Sequence, residues 1–145
     1  MRFLVTGLPR CRTAWFAAYL TEGDTICFHE AYHNNVDLQV PFKNKGNSEP
    51  SVPQKWIDEF EPQKIVIVHR DLGDVYRSLK QMGIAPSVQW LQDLEARNQE
   101  MDGLHVDYHN IDLENVHDYL GFGNYNPHRA ALYNKMHIQH MNWRR

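Results

Sequence analysis

The chain has 145 residues, 42% of them hydrophobic, with 15 Lys and Arg against 18 Asp and Glu: the size and composition of one ordinary domain spanning residues 1–145. No run approaches the ~18 apolar residues of a membrane-spanning helix, and Pro9, Arg10 and Arg12 interrupt the apolar start before a signal-peptide core forms, so a soluble, unexported, cytoplasmic protein is expected. Cys11 and Cys27 are too few for a disulfide framework and fit a reducing compartment, and a net charge of -3 argues against bulk nucleic-acid binding.

Taken in chain order, the apolar residues 2–6 predict a strand ended by Gly7, and the turn-like Gly7-Leu8-Pro9 leads into a helix over 13–20. Residues 25–28 predict a second short strand. From 32 to 53 the composition turns polar, with three prolines, and predicts a long loop. The β-branched run at 64–69 has the continuous apolar character of a strand buried on both faces of a parallel sheet, and the spacing of Leu72, Val75, Tyr76 and Leu79 predicts a helix over 71–82. A helix over 87–101, a strand over 104–108, a helix over 113–120 capped by Gly121 and a helical tail over 127–143 complete the order.

Strands alternating with helices predict a small α/β domain with a parallel sheet, right-handed crossovers and helices on both faces. Ligands of such sheets bind at the carboxyl ends of the strands, which directs attention to 7–13, 29–33 and 69–74. Charge is unevenly distributed. Residues 1–20 hold Arg2, Arg10 and Arg12 with no acid, so an acidic chain can still own a local anion site within a Debye length of ~8 Å.

The loop Thr6-Gly7-Leu8-Pro9-Arg10-Cys11-Arg12-Thr13 leaves a strand and opens a helix, where unpaired backbone N–H groups and the helix dipole favour a phosphate. It does not meet G-x-x-x-x-G-K-[ST]: counted from Gly7, Arg12 stands at the second Gly and Thr13 at the Lys. The run Pro9-Arg10-Cys11-Arg12-Thr13-Ala14-Trp15 instead resembles the 5′-phosphosulfate loop of sulfotransferases, Pro-Lys-Ser-Gly-Thr-Thr-Trp. Pro9, Thr13 and Trp15 match, Arg10 keeps the lysine's charge, and Cys11, Arg12 and Ala14 depart. Arg12 replaces a glycine, so the loop must tolerate a Cβ there. A second segment, from Ile65 to Ser78, resembles the family's 3′-phosphate motif, with Arg70 at the strand end and Ser78 eight positions on.

The resemblance implies a three-layer α/β/α fold of the P-loop nucleotide-hydrolase type and a small enzyme that moves a sulfuryl group from 3′-phosphoadenosine 5′-phosphosulfate (PAPS) to a hydroxyl or amine, leaving adenosine 3′,5′-bisphosphate. It implies that Pro9, Arg10, Cys11, Arg12 and Thr13 bind the 5′-phosphosulfate, that Arg10 also stabilises the departing phosphate, that Trp15 stacks on the adenine, and that Arg70 and Ser78 hold the 3′-phosphate. No metal is expected, because a sulfuryl group carries less negative charge than a phosphoryl group. The family's late Arg-Lys-Gly stretch is missing, with Arg129 as a substitute candidate. The acceptor, a small molecule, glycan or peptide, is not legible.

His29-Glu30-Ala31-Tyr32-His33 also satisfies H-E-x-x-H, which on a helix holds zinc for a hydrolase. The β-rich residues before it and Asn34-Asn35 after it disfavour that helix; Glu49 is the nearby carboxylate able to complete a site. In the sulfotransferase reading, Glu30 or His29 emerges at a strand end as the base that takes the acceptor's proton. The same strand-loop-helix pattern is also compatible with a P-loop kinase-like enzyme and with a non-catalytic nucleotide-binding protein.

Overall fold

The computed structural model describes residues 1–138. Its strands are β1 (Arg2–Gly7), β2 (Thr25–His29), β3 (Asn44–Ser48), β4 (Lys64–His69) and β5 (Leu104–Asp107). The helices around them are α1 (Thr13–Leu20), α2 (Gln54–Phe60), α3 (Leu72–Gln81), α4 (Val88–Glu100), α5 (Leu113–Leu120) and α6 (Pro127–Asn134). All strand pairings are parallel, in the order β2-β3-β1-β4-β5. The predicted parallel α/β architecture is present, and no helix among the described residues is long and apolar enough to cross a membrane.

The apolar runs that sequence alone marks as strands take the centre of the sheet. β1 and β4 pair from Phe3 opposite Lys64 to Gly7 opposite Val68. Phe3, Val5, Val66 and Val68 enter one core with Trp15 and Phe16 of α1, Val75 of α3, Leu91 of α4 and Val116 of α5. Gly7 is required where the two strands end, since a Cβ there would sit 2.5 Å from the Val68 carbonyl oxygen.

The segment 32–53, expected to be a loop, contains β3. Asn44, Lys45, Gly46, Asn47 and Ser48 include no β-branched or aromatic residue, and tertiary position overrides their poor propensity. β3 lies between β1 and β2. Gly46 leaves room for the Phe3 ring, which a Cβ would meet at 2.2 Å. The buried polar ends of the strand tie down neighbouring loops: Asn47 Oδ1 accepts the Ala31 amide at 3.1 Å, and Ser48 Oγ donates to the Thr13 carbonyl at 2.6 Å. The short helix α2 was also not legible. The helical tail is shorter than expected, because α6 ends at Asn134 and 136–138 are irregular; His137 therefore follows the helix, and the part of that expectation from 139 to 143, with His140, lies outside the described residues.

Four of the six helix starts carry a side-chain cap; α2, which follows Pro53, and α1 do not. Asp71, Ser87, Asp112 and Asn126 accept backbone N–H groups at the heads of α3, α4, α5 and α6. At the head of α1 the N-cap is Arg12, which makes no side-chain cap. Connections set the place of the site. The chain leaves β1 toward β2 and leaves β4 toward β5, in opposite directions across the sheet, so the boundary between β1 and β4 is a topological switch point.

Candidate functional site

The loop after β1 is built from alternating buried and cleft-facing residues. Leu8 and Cys11 are buried and fix the loop to the core, while Pro9, Arg10 and Arg12 line a cleft of about 1360 Å³. Burial pushes the Cys11 thiol up to about 12, so this residue supplies main chain and packing, not a thiolate. Arg10 has φ 65° and Arg12 φ 66°, with Cys11 between them at negative φ. Such sign alternation turns successive amides toward one concavity, as in phosphate-binding nests. Arg12 therefore adopts the left-handed conformation of the glycine whose place it takes, at a cost of about 1–2 kcal/mol. The amides of Thr13, Ala14 and Trp15 have no acceptor among the described residues.

Three arginines converge on this concavity. Arg70, one residue past β4, donates from Nη1 to the Arg10 carbonyl at 2.7 Å, and Arg10 Nε donates to Ser78 Oγ at 2.9 Å. Thus the two segments singled out by their resemblance meet. The Arg12 guanidinium lies 4.2 Å from the Trp15 ring centre, and that of Arg70 lies 4.1 Å from the Tyr108 ring centre. Arg2, Arg77 and Arg129 pair with Glu61, Asp74 and Glu22; Arg10, Arg12 and Arg70 have no carboxylate at ion-pairing distance among the described residues. Burial pulls the Arg12 guanidinium below its ordinary range. Like charges a few ångström apart repel by on the order of a few kcal/mol near a protein surface, and an anion in the cleft would reverse that sign.

The second wall comes from the carboxyl end of β2. Thr13 Oγ1 and His29 Nε2 are hydrogen-bonded at 3.3 Å, and Glu30 Oε1 lies 3.9 Å from the same nitrogen. His29 is buried, whereas Glu30, at φ 52°, keeps an accessible carboxylate at the cleft. Among the described residues neither Arg10 nor Arg12 is ion-paired with it. Trp15 also lines the cleft, but its ring stacks on Tyr19 at 5.1 Å, donates through Nε1 to the Tyr133 carbonyl at 2.8 Å, and is only 2% exposed. Tyr19 and the Arg12 guanidinium thus cover the ring that the resemblance assigns to the adenine.

The helix that H-E-x-x-H needs is not formed, since His29 ends β2 and 31–35 are a turn. His33 Nδ1 bonds Glu49 Oε2 at 2.7 Å instead. Glu49 is fully buried and also accepts the Tyr32 amide at 2.8 Å and Asn47 Nδ2 at 2.9 Å, so its lone pairs are committed to holding the turn that follows Glu30. No group of three or more His, Cys, Asp or Glu able to hold a metal ion occurs among the described residues.

Several cleft residues escaped sequence reasoning. Arg77 directly precedes Ser78, and Tyr108 follows the carboxyl end of β5, a position the strand-end rule flags. Lys135 and His137, just beyond α6, carry no motif. Arg129 is not at the cleft: it pairs with Glu22 at 3.4 Å and lies 4.5 Å from the centre of the Tyr133 ring. No model of a protein family matches the chain, and no curated protein matches it in sequence.

Proposed function

We propose that this protein is a small sulfotransferase-like enzyme whose cleft binds PAPS and passes its sulfuryl group to a hydroxyl or amine. The observation that carries the reading is the meeting of Arg10, Arg70 and Ser78 beside the uncapped head of α1, with three arginines free of carboxylate partners among the described residues. A ligand with anionic groups at two ends of an adenosine suits that arrangement. In this reading the fold is of the three-layer P-loop type. The amides of the 10–15 segment, Arg10, Arg12 and Thr13 take the 5′-phosphosulfate, and Arg70 and Ser78 take the 3′-phosphate.

The chemistry is in-line transfer. The acceptor oxygen or nitrogen forms a bond to sulfur as the bond from sulfur to the 5′-phosphate oxygen breaks. The electron pair leaves with the phosphate, where Arg10 and the loop amides stabilise the developing charge. Glu30, the accessible member of the strand-end pair, takes the acceptor's proton, and the buried His29 orients Thr13. Most of the acceleration comes from holding the donor and acceptor in register.

Thermal unfolding with adenosine 3′,5′-bisphosphate tests the cofactor assignment. Ligand at a hundred times its dissociation constant adds about 2.7 kcal/mol to apparent stability. Arg70→Ala is expected to lose most of that gain, and ATP with magnesium to give a smaller one. No shift of the wild type at millimolar bisphosphate, or an equal shift of the variant, contradicts the reading. Transfer of labelled sulfate from PAPS to a panel of hydroxyl and amine acceptors then distinguishes an enzyme from a binding protein.

A further inference from the structure

Tyr108 is the residue that Arg12 and Arg70 share. Its ring centre lies 4.1 Å from the Arg70 guanidinium carbon and 5.8 Å from that of Arg12, which in turn lies 4.2 Å from the Trp15 ring centre. Aromatic ring and cation thus alternate from Trp15 through Arg12 and Tyr108 to Arg70. The Tyr108 backbone is fixed as well, its amide donating to the carbonyl of His69, the residue before Arg70, at 2.8 Å. A ring face attracts a guanidinium without neutralising it, so it can hold two mutually repelling cations while leaving their outward N–H groups to a ligand. Asp74 supplies the competing interaction. Its carboxylate lines the same cleft, is engaged by Arg77, and feels the charge of Arg70.

We infer that Tyr108 is a positioning residue that holds Arg12 and Arg70 apart from each other and from Asp74, making the cleft selective for a ligand with two separate anionic groups over a ligand with one. In the proposed reaction, on which this inference rests, Tyr108 couples the grip on the 5′ end of the cofactor to the grip on its 3′ end. Removing the ring lets Arg70 turn toward Asp74, and one of the two grips is lost.

The test measures affinities of the full chain for adenosine 3′,5′-bisphosphate, adenosine 5′-phosphate, inorganic tripolyphosphate and inorganic phosphate, alongside the unfolding midpoint of each variant without ligand. Tyr108→Phe, which keeps the ring, should retain wild-type affinities. Tyr108→Leu should lose about tenfold on the bisphosphate, the loss of one half-buried cation–π contact and its preorganisation, and little on the 5′-phosphate. Asp74→Asn should raise bisphosphate affinity more in Tyr108→Leu than in the wild type, a coupling that a packing role would not give. An unchanged ratio between bisphosphate and 5′-phosphate in Tyr108→Leu, or an equal loss on both, overturns the inference. So does failure of both Tyr108→Leu and Tyr108→Met to fold, which would make the ring a packing residue. If the wild type prefers tripolyphosphate to phosphate in a Tyr108-dependent way but ignores the bisphosphate, the cofactor assignment falls and the positioning role stands; if it binds no polyanion, both fall.

Discussion

Arg12 carries two burdens that oppose each other. Its left-handed backbone suits glycine, and its side chain gives the cleft a charge that burial disfavours. Arg12→Gly removes both strains while losing the contact with Trp15 and some unfolded-state restriction. The expected outcome is a stability within about 1 kcal/mol of wild type, measured by urea unfolding, together with weaker binding of adenosine 3′,5′-bisphosphate. A large loss of stability would mean that Arg12 serves the fold and not the ligand. At this scale the charges of the site were legible, because Arg10, Arg12, Arg70 and Ser78 stand in motifs with strand-turn-helix context. Their partners were not. Nothing in the order of residues says that Arg70 would grasp the Arg10 carbonyl, that Arg12 would cover Trp15, or that Tyr108 would stand beside both, since these contacts depend on side-chain directions set by the folded backbone.

Among the elements, β1, β4 and α1 are readable from pattern alone, and β3 is not. An apolar run declares its burial through composition, whereas β3 is made of polar residues whose value lies in what they bond: Asn47 to the turn after Glu30, Ser48 to the first residue of α1. Propensity is silent about such a strand, and only the space between β1 and β2 selects it. Gly46 is the residue on which this depends. Gly46→Ala places a methyl against the buried Phe3 ring, which itself packs edge-on to Phe122 at 5.4 Å, and should cost about 1–3 kcal/mol in urea unfolding. Gly123→Ala, with nothing within 4 Å of the added atom, is the control and should change little. Equal effects of the two substitutions would contradict the tight approach of β3 to β1. For the last helix composition misleads in the opposite sense, because a helical pattern runs past Asn134 while residues 135–138 are not helical.

Over the whole molecule, a chain of net charge -3 concentrates guanidinium groups without carboxylate partners at one end of its sheet, among the described residues. Stability and ligand binding should therefore respond to different groups. His117 is buried between α1 and its own helix, with Nε2 2.9 Å from the Tyr19 hydroxyl and Nδ1 2.8 Å from Asn124 Oδ1. Both bonds are satisfied by the neutral ring, donating from Nδ1 and accepting at Nε2. Burial lowers its pKa from 6.5, so the unfolded chain takes up this proton before the native one does. Its contribution to stability is complete above about 6.5 and declines as the pH falls toward and through the depressed native value. His117→Gln should flatten that decline in urea titrations, and an unchanged slope would assign it to other groups. In the proposed function the switch point between β1 and β4 is an anion site for a doubly phosphorylated adenosine. The most direct measurement is an NMR titration of the labelled protein with adenosine 3′,5′-bisphosphate. The largest amide shifts are expected at Arg10, Arg12, Thr13 and Ala14, with Arg70, Ser78 and Tyr108 responding at the same ligand concentration; shifts centred elsewhere, or none at millimolar ligand, would exclude such a site.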